Sequence, residues 1–308
     1  MLIAIDHGNY AIKTPNFSFV AGYVKNDYMP AIMDDTMKFN DAYYSLTEKR
    51  FPHRQNKTKD EVYFILTLFA IAKELEKANK HDVMNNIDLA VGLPPEHYGV
   101  QRDAFAAYFK RKEPLMFEYN GNKYYITIKS VMVFPQAYAA IVLDSDTALS
   151  SPRLYIVDIG GYTTDILMLR NGKPNMQVCK SLNNGIITMN NELISKISAT
   201  YDYQLSDEDI SDILLGKNTS LPDEIIKMVK SAARNHMQTI IDVLKELEID
   251  VRVVKTVFLG GGSMILKPYI MENPQLSGAT FIEDQKANAI GYKMLGEAQL
   301  AAKSRKDG

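Results

Sequence analysis

The stretch LYIVDIGGYTTDIL, residues 154–167, sets a carboxylate at the end of an apolar run and follows it with two glycines. Leu154 to Val157 is β-branched and aromatic, which predicts a buried strand. Gly160-Gly161 permits a tight turn, and Thr163 to Leu169 returns as a second strand. Asp158 then stands at a strand end beside backbone amides that no side chain covers. Such a place suits a phosphate and its metal ion. By itself the pattern fits better a plain glycine turn with a solvated Asp.

The same pattern occurs at the start of the chain. IAIDHGNYAIK aligns without a gap on YIVDIGGYTTD, so Asp6 falls on Asp158, Gly8 on Gly160 and Tyr10 on Tyr162. Two such hairpins, one from each half, are expected to face each other across a cleft. Their amides would hold a polyphosphate, and the two carboxylates a hydrated Mg²⁺. A third glycine element, TVFLGGGSMIL, joins a strand at 253–259 to a helix at 263–271 and strips the turn of side chains, so a flat ligand can lie on its backbone. It is not a dinucleotide fingerprint, because Ile265 stands where the last glycine belongs, and Gly216-Lys217-Asn218 is not a Walker A sequence.

Composition narrows the remaining classes. The chain has 308 residues, 46% of them hydrophobic and 23% charged, with a formal net charge of −2. That balance is globular and carries no overall basic field for wrapping nucleic acid, so a link to DNA would be indirect. The single cysteine, Cys179, excludes an internal disulfide, and its apolar-rich surroundings predict a buried strand position. The five histidines lack the spacing of a zinc site. No apolar run is long enough to span a membrane, and MLIAIDHG leads straight into a strand, so an intracellular protein is expected.

Along the chain, strands are expected at 2–6, 10–14, 17–24, 28–33, 42–46, 87–91 and 130–134. An Asn120-Gly121 hairpin precedes the last of these, and a second Asn-Gly turn falls at 171–172. Thr58 and Glu61 predict a capping box for a helix whose apolar face is Val62, Ile65, Leu68, Phe69, Ala72 and Leu75. Further helices are expected after the loop Gly92-Leu93-Pro94-Pro95, for about four turns to Lys112, and at 136–143, 186–199, 207–215, 223–248 and 286–302, the last followed by a polar tail. The segment 145–153 is polar, small and broken by Pro152, and serves as the boundary. Two similar α/β units follow from this order.

In motif content and order the chain resembles the actin-like ATPase superfamily, and within it the ParM/StbA plasmid-segregation branch. The resemblance rests on IDHGNYAIK, VFPQAYAAI, VDIGGYTTDI, FLGGGS and ANAIGY, with branch flavour from AVGLPPEHY and TKDEVYFILTLFAIAKEL. It implies an actin-like, ribonuclease H-like two-domain fold with nucleotide in the interdomain cleft. Residues 1–147, completed by a C-terminal helix at 284–308, would form the first domain and 148–283 the second. It further implies Asp6 and Asp158 as metal-site and catalytic carboxylates, and Gln136 as the residue orienting the attacking water. A neutral amide positions water better than it deprotonates it, so hydrolysis should be slow. Gly8, Asn9, Tyr10, Lys13, Gly160, Gly161, Tyr162, Thr163, Gly185, Gly260, Gly261, Gly262 and Ser263 would contact the nucleotide. The implied cofactor is Mg²⁺ with ATP, GTP being left open. The implied partners are further copies of the chain in a filament and a DNA-binding adaptor of the ParR type. Plasmid DNA is reached only through the adaptor, without a membrane and in the cytoplasm. A small-molecule kinase or a chaperone-type ATPase on the same fold is the alternative. Asp165 is expected to pair within its own hairpin.

Overall fold

The computed structural model describes residues 1–54, 56–217 and 219–307; Gln55, Asn218 of the Gly216-Lys217-Asn218 stretch, and Gly308 at the end of the expected 284–308 helix lie outside these. The chain divides into two compact units, residues 1–143 with 286–308, and residues 144–285.

The first unit is built on a nine-stranded sheet. Its strands are β1 (Leu2–His7), β2 (Ala11–Lys13), β3 (Ser18–Val20), β4 (Tyr23–Asn26), β5 (Thr36–Phe39), β6 (Ala42–Leu46), β7 (Met84–Leu93), β8 (Leu115–Tyr119) and β9 (Asn122–Pro135), in the order β3-β2-β1-β7-β9-β8-β5-β6-β4. Helix α1 (Val62–Lys77) is apolar almost all round and buries Phe64, Leu68, Phe69 and Leu75, as a helix sunk in a core must. Helix α2 (Pro95–Phe109) begins on a proline at its first position, which costs no amide bond there, and sends Phe105 and Phe109 into the same core.

The predicted capping box does not form. Thr58 is held by the Asn56 side chain, the Val62 amide donates to Asp60, and Glu61 pairs with Arg111, so α1 starts four residues later than Thr58. The apolar stretch 28–33 is not a strand. Pro30 has no amide to give a ladder, and Tyr28 and Ile32 are 86% and 72% exposed.

Short helices α3 (Tyr138–Ile141) and α4 (Ser145–Ser150) follow β9, with a 3₁₀ turn at Val142–Asp144 between them. The helix expected from 136 starts two residues later, because Ala137 has φ +61°. Much of the 145–153 segment is thus helical.

The second unit holds β10 (Arg153–Ile159), β11 (Thr164–Arg170), β12 (Lys173–Leu182), β13 (Lys255–Leu259) and β14 (Thr280–Phe281), in the order β12-β11-β10-β13-β14. Helices α5 (Ile186–Tyr201), α6 (Asp207–Leu214), α7 (Asp223–Glu246) and α8 (Gly261–Glu272) pack on it through Ile187, Leu193, Ile210, Val229, Ile240 and Leu266. Cys179 is only half-buried. It lies on edge strand β12, where the register slips between Leu167 and Met168 and the strand swells away from its neighbour.

The chain returns to the first unit as α9 (Ala287–Asp307), which runs helical through the expected polar tail. Ala289 and Tyr292 of α9 are buried, and Tyr292 packs with Ala4, Ala90 and Ala139.

The echo between the halves is structural. In each unit a central strand pairs antiparallel with its own return and parallel with a later strand: β1 with β2 and β7, β10 with β11 and β13. The next neighbours match as well, with β3 antiparallel to β2 as β12 is to β11, and β9 parallel to β7 as β14 is to β13. Five strands in one order thus recur, and the first unit extends its sheet with four more.

Candidate functional site

Both glycine hairpins close with the same register. Asp6 stands opposite Lys13, and Asp158 opposite Asp165, so each carboxylate meets the residue seven positions later. In each, the strand ends one residue further on, at His7 or Ile159. Neighbouring strands fix both carboxylates, which are buried at 5% and 8% exposure. A carboxylate this far from water needs donors or a cation close by.

In the first unit that donor is Gln136. Its Nε2 donates to Asp6 Oδ1 at 3.0 Å, joining two residues 130 positions apart. The Gln136 backbone N–H is held by Leu93 O at 2.8 Å, at the end of the parallel strand β7. Asp6 and Gln136 are therefore joined, with Lys13 opposite Asp6 on β2, an arrangement set by four successive strands, β2, β1, β7 and β9.

The turn between β1 and β2 is fastened from behind. His7 is fully buried, stacks on Phe109 with ring centroids 5.1 Å apart, and has Nε2 2.8 Å from Thr67 Oγ1. Thr67 gives its hydroxyl proton to Tyr63 O, so it accepts from His7, and the imidazole carries its proton on Nε2. Burial, and next the Lys57 ammonium, push the His7 pKa down to about 3. Lys57 also donates to the His7 carbonyl. The Asn9 side-chain oxygen accepts from the Arg54 amide at 3.2 Å and from Tyr63 OH at 2.9 Å, tying the turn to the start of α1. Gly8 lies within this turn, and Tyr10 is half-exposed at its far end.

In the second unit, three glycine segments converge. The Gly160 amide donates to Thr163 O at 2.8 Å and closes the turn. The carbonyls of Gly160 and Gly161 accept from the first amides of α5, Ile186 N at 3.1 Å and Ile187 N at 2.7 Å. All peptides here are trans, so fixing these carbonyls toward α5 turns the following N–H groups, of Gly161 and Tyr162, to the opposite side. Gly185 is the N-cap of α5 and donates to Tyr162 O at 3.0 Å. The result is a rigid row of backbone dipoles of the kind that receives anions.

The triple glycine leaves β13 and starts α8. Gly260, at φ +89°, would place a Cβ 2.3 Å from Asp158 Oδ1 and 2.5 Å from Ile159 O. The two segments thus touch through a position where no side chain fits. Gly261 opens on space, Gly262 lies against Ile159, and Ser263 is fully buried with its hydroxyl on Leu259 O. Asp165 bonds Ser181 and Thr163 within its own sheet, as expected. What the sequence reading missed is its place directly across from Asp158, signalled by the seven-residue spacing that the first hairpin also has. Asn288 was missed as well; its side chain reaches the residue after Gln136, with Oδ1 2.9 Å from Ala137 N.

Two units sharing one five-strand order, each with an Asp-glycine hairpin on its central strand, define an actin-like protein. Residues 4–138 match the family described as actin like proteins, N terminal domain. Residues 156–272 match that described as archaeal actin homologue MreB-like, C-terminal. The chain carries actin-like domains in both halves and has the actin-like two-domain α/β fold.

Among solved structures it is similar to Ta0583, an archaeal actin homolog, at 16% identity and TM-score 0.76, over 97% of this chain and 99% of that one. The ADP complex of Ta0583 gives 17% identity and TM-score 0.72, over 97% and 99%. The apo pSK41 ParM protein gives 16% and 0.72, over 98% of each chain. The Alp12 filament structure gives 13% and 0.68, over 97% and 98%. No curated protein matches the sequence significantly. Among the described residues, no helix is long and apolar enough to cross a membrane.

Proposed function

We propose that the protein is a slow, assembly-coupled ATPase: it binds Mg·ATP, polymerises into filaments, and disassembles after hydrolysis. The observation that supports this best is the matched pair of hairpins. Each sets a buried carboxylate at a strand end beside a glycine turn, and the first carboxylate is joined by a neutral amide, Gln136.

Both turns are assigned to the phosphates of one nucleotide. Asp6 and Asp158 would hold the hydrated Mg²⁺, and Lys13, level with Asp6, would balance phosphate charge. The amides of Gly161 and Tyr162 would donate to phosphate oxygens, and the open face of Gly261 would admit the adenosine. Bound Mg·ATP supplies the γ-phosphoryl group and the charge that these residues oppose. The neutral Gln136 amide is too weak a base to take a proton from water, so its part is to hold the water in line. That is consistent with slow turnover.

Filament and plasmid-segregation roles follow from the company the fold keeps, since relatives include ParM proteins and a filament-forming Alp12. We assign the chain a cytoplasmic plasmid-partition role in which a DNA-bound adaptor couples filament ends to the plasmid. The deciding experiment is right-angle light scattering with parallel phosphate release on adding Mg·ATP, Mg·GTP or Mg·ADP. Polymer that forms with the triphosphate and decays as phosphate is released supports the reading. A protein that stays monodisperse with every nucleotide and phosphorylates a metabolite overturns it.

A further inference from the structure

Gln136 is followed by a strained turn. Ala137 has φ +61° and ψ −49°, and the Tyr138 amide donates to Gln136 O at 2.6 Å. This is the γ-turn of positive φ, which an L-residue adopts at a cost. It reverses the chain between β9 and α3 and fixes the direction in which the Gln136 side chain leaves the backbone.

A turn of this kind points the amide of its central residue outward. Ala137 is fully buried, so that amide has no access to water and needs an acceptor. Asn288 supplies it, with Oδ1 2.9 Å from Ala137 N and the side chain itself only 9% exposed. Its helix is seated directly on the turn. Gly291, one helical turn on, lies so close to α3 that a Cβ there would fall 1.9 Å from Ala139 O.

We propose that Asn288 is a positioning residue for hydrolysis: it latches the strained Ala137 turn and so holds the Gln136 amide in its working direction. This rests on the assignment of Gln136 as the water-orienting group. Without the latch the turn has both a strained backbone and an unsatisfied buried amide, and it relaxes. Gln136 then shifts, while the phosphate-facing turns, on other elements, keep their shape. Misplacement of a reacting group by about 1 Å costs up to ~100-fold in rate. Asn288→Ala should therefore lower kcat by roughly ten- to a hundredfold and leave the affinity for a fluorescent non-hydrolysable ATP analogue within about twofold, since the latch serves the transition state.

The test combines hydrolysis with a nucleotide-free readout. Amide exchange followed by NMR should show Ala137 N–H exchanging at least about tenfold faster in N288A, with the β9 amides unchanged. Asn288→Asp keeps the acceptor oxygen and should restore both slow exchange and hydrolysis. In the Gln136→Ala background, Asn288→Ala should add no further loss. Four results would overturn the latch: wild-type hydrolysis in N288A while Gln136→Ala is slow, an equal loss added to Gln136→Ala, unchanged Ala137 exchange, or N288D behaving like N288A. All four leave the Gln136 assignment standing, because that assignment is tested by Gln136→Ala alone. Wild-type hydrolysis in Gln136→Ala removes both readings together.

Discussion

Neighbouring glycines 260 and 261 should respond to the same substitution with opposite sign. At Gly260, φ +89° and ψ 160° lie in a region that L-residues rarely enter, and a Cβ would lie 2.3 Å from Asp158 Oδ1 and 2.5 Å from Ile159 O. Backbone strain accounts for about 1–3 kcal/mol, and moving Asp158 and the end of β10 aside for about 1–3 more. Gly260→Ala should thus cost ~2–6 kcal/mol, which lowers the melting temperature of a unit of this size by about 5–20 °C. At Gly261 the added methyl meets nothing within 4 Å and the residue is the first of α8, so Gly261→Ala should be neutral or stabilising by up to ~1 kcal/mol. Thermal unfolding by circular dichroism, without nucleotide, measures both. Titration with fluorescent ATP then separates fold from ligand: Gly261→Ala should stay folded yet bind more weakly, because its methyl occupies the face assigned to adenosine. Equal melting temperatures for the two variants would refute the reasoning from the close approach to Asp158.

Asp158→Ala should abolish Mg-dependent hydrolysis and weaken Mg·ATP binding while the protein still folds; unchanged turnover would remove Asp158 from the metal site. Gln136→Ala should slow phosphate release about a hundredfold, the loss of a transition-state hydrogen bond of roughly 3 kcal/mol, and leave filaments that outlast the wild type. Stability should fall on acidification. Burial holds the folded pKa of His7 near 3 and that of His236 near 4, against about 6.5 unfolded. The unfolded chain therefore binds more protons between those values, and each histidine withdraws about 1.4 kcal/mol per pH unit below about 6.5. Carboxylates lowered by their partners, such as Asp209 beside Ser206, act only near and below pH 4. A urea midpoint that does not change between pH 7 and pH 5 would contradict the burial of both imidazoles.

The duplicated hairpin was legible because its signal is local: an apolar strand, an Asp, glycines and a β-rich return. The seven-residue register that unites Asp6 with Lys13 and Asp158 with Asp165 confirms the echo between the halves. Helices α1 and α7 were equally plain, since their apolar positions recur over many turns, whereas the polar residues after 302 hid the end of α9. Errors fell where a tertiary partner decides. Asp60 displaced the Thr58 capping box, a slipped register left Cys179 only half-buried, and Tyr28 and Ile32 were apolar without being buried. The meeting of Gln136 with Asp6 could not be read at all, because it depends on β1, β7 and β9 lying side by side, and 130 residues separate the partners. Nor does any composition signal announce that Ala137 will take a positive φ.

One feature of the second turn reaches beyond ligand contact. The Gly160 and Gly161 carbonyls are bonded to the first amides of α5, so the turn and the helix behave as a handle and its shaft. Sixteen residues make a shaft of about 24 Å. A tilt of about 5° at the handle carries the far end by ~2 Å. At that end stand Tyr201, 45% exposed, and Tyr203, 38% exposed. A change too small to alter the turn's own bonds would thus move two surface tyrosines by more than half a bond-contact distance, enough to make or break a fit with whatever lies against them.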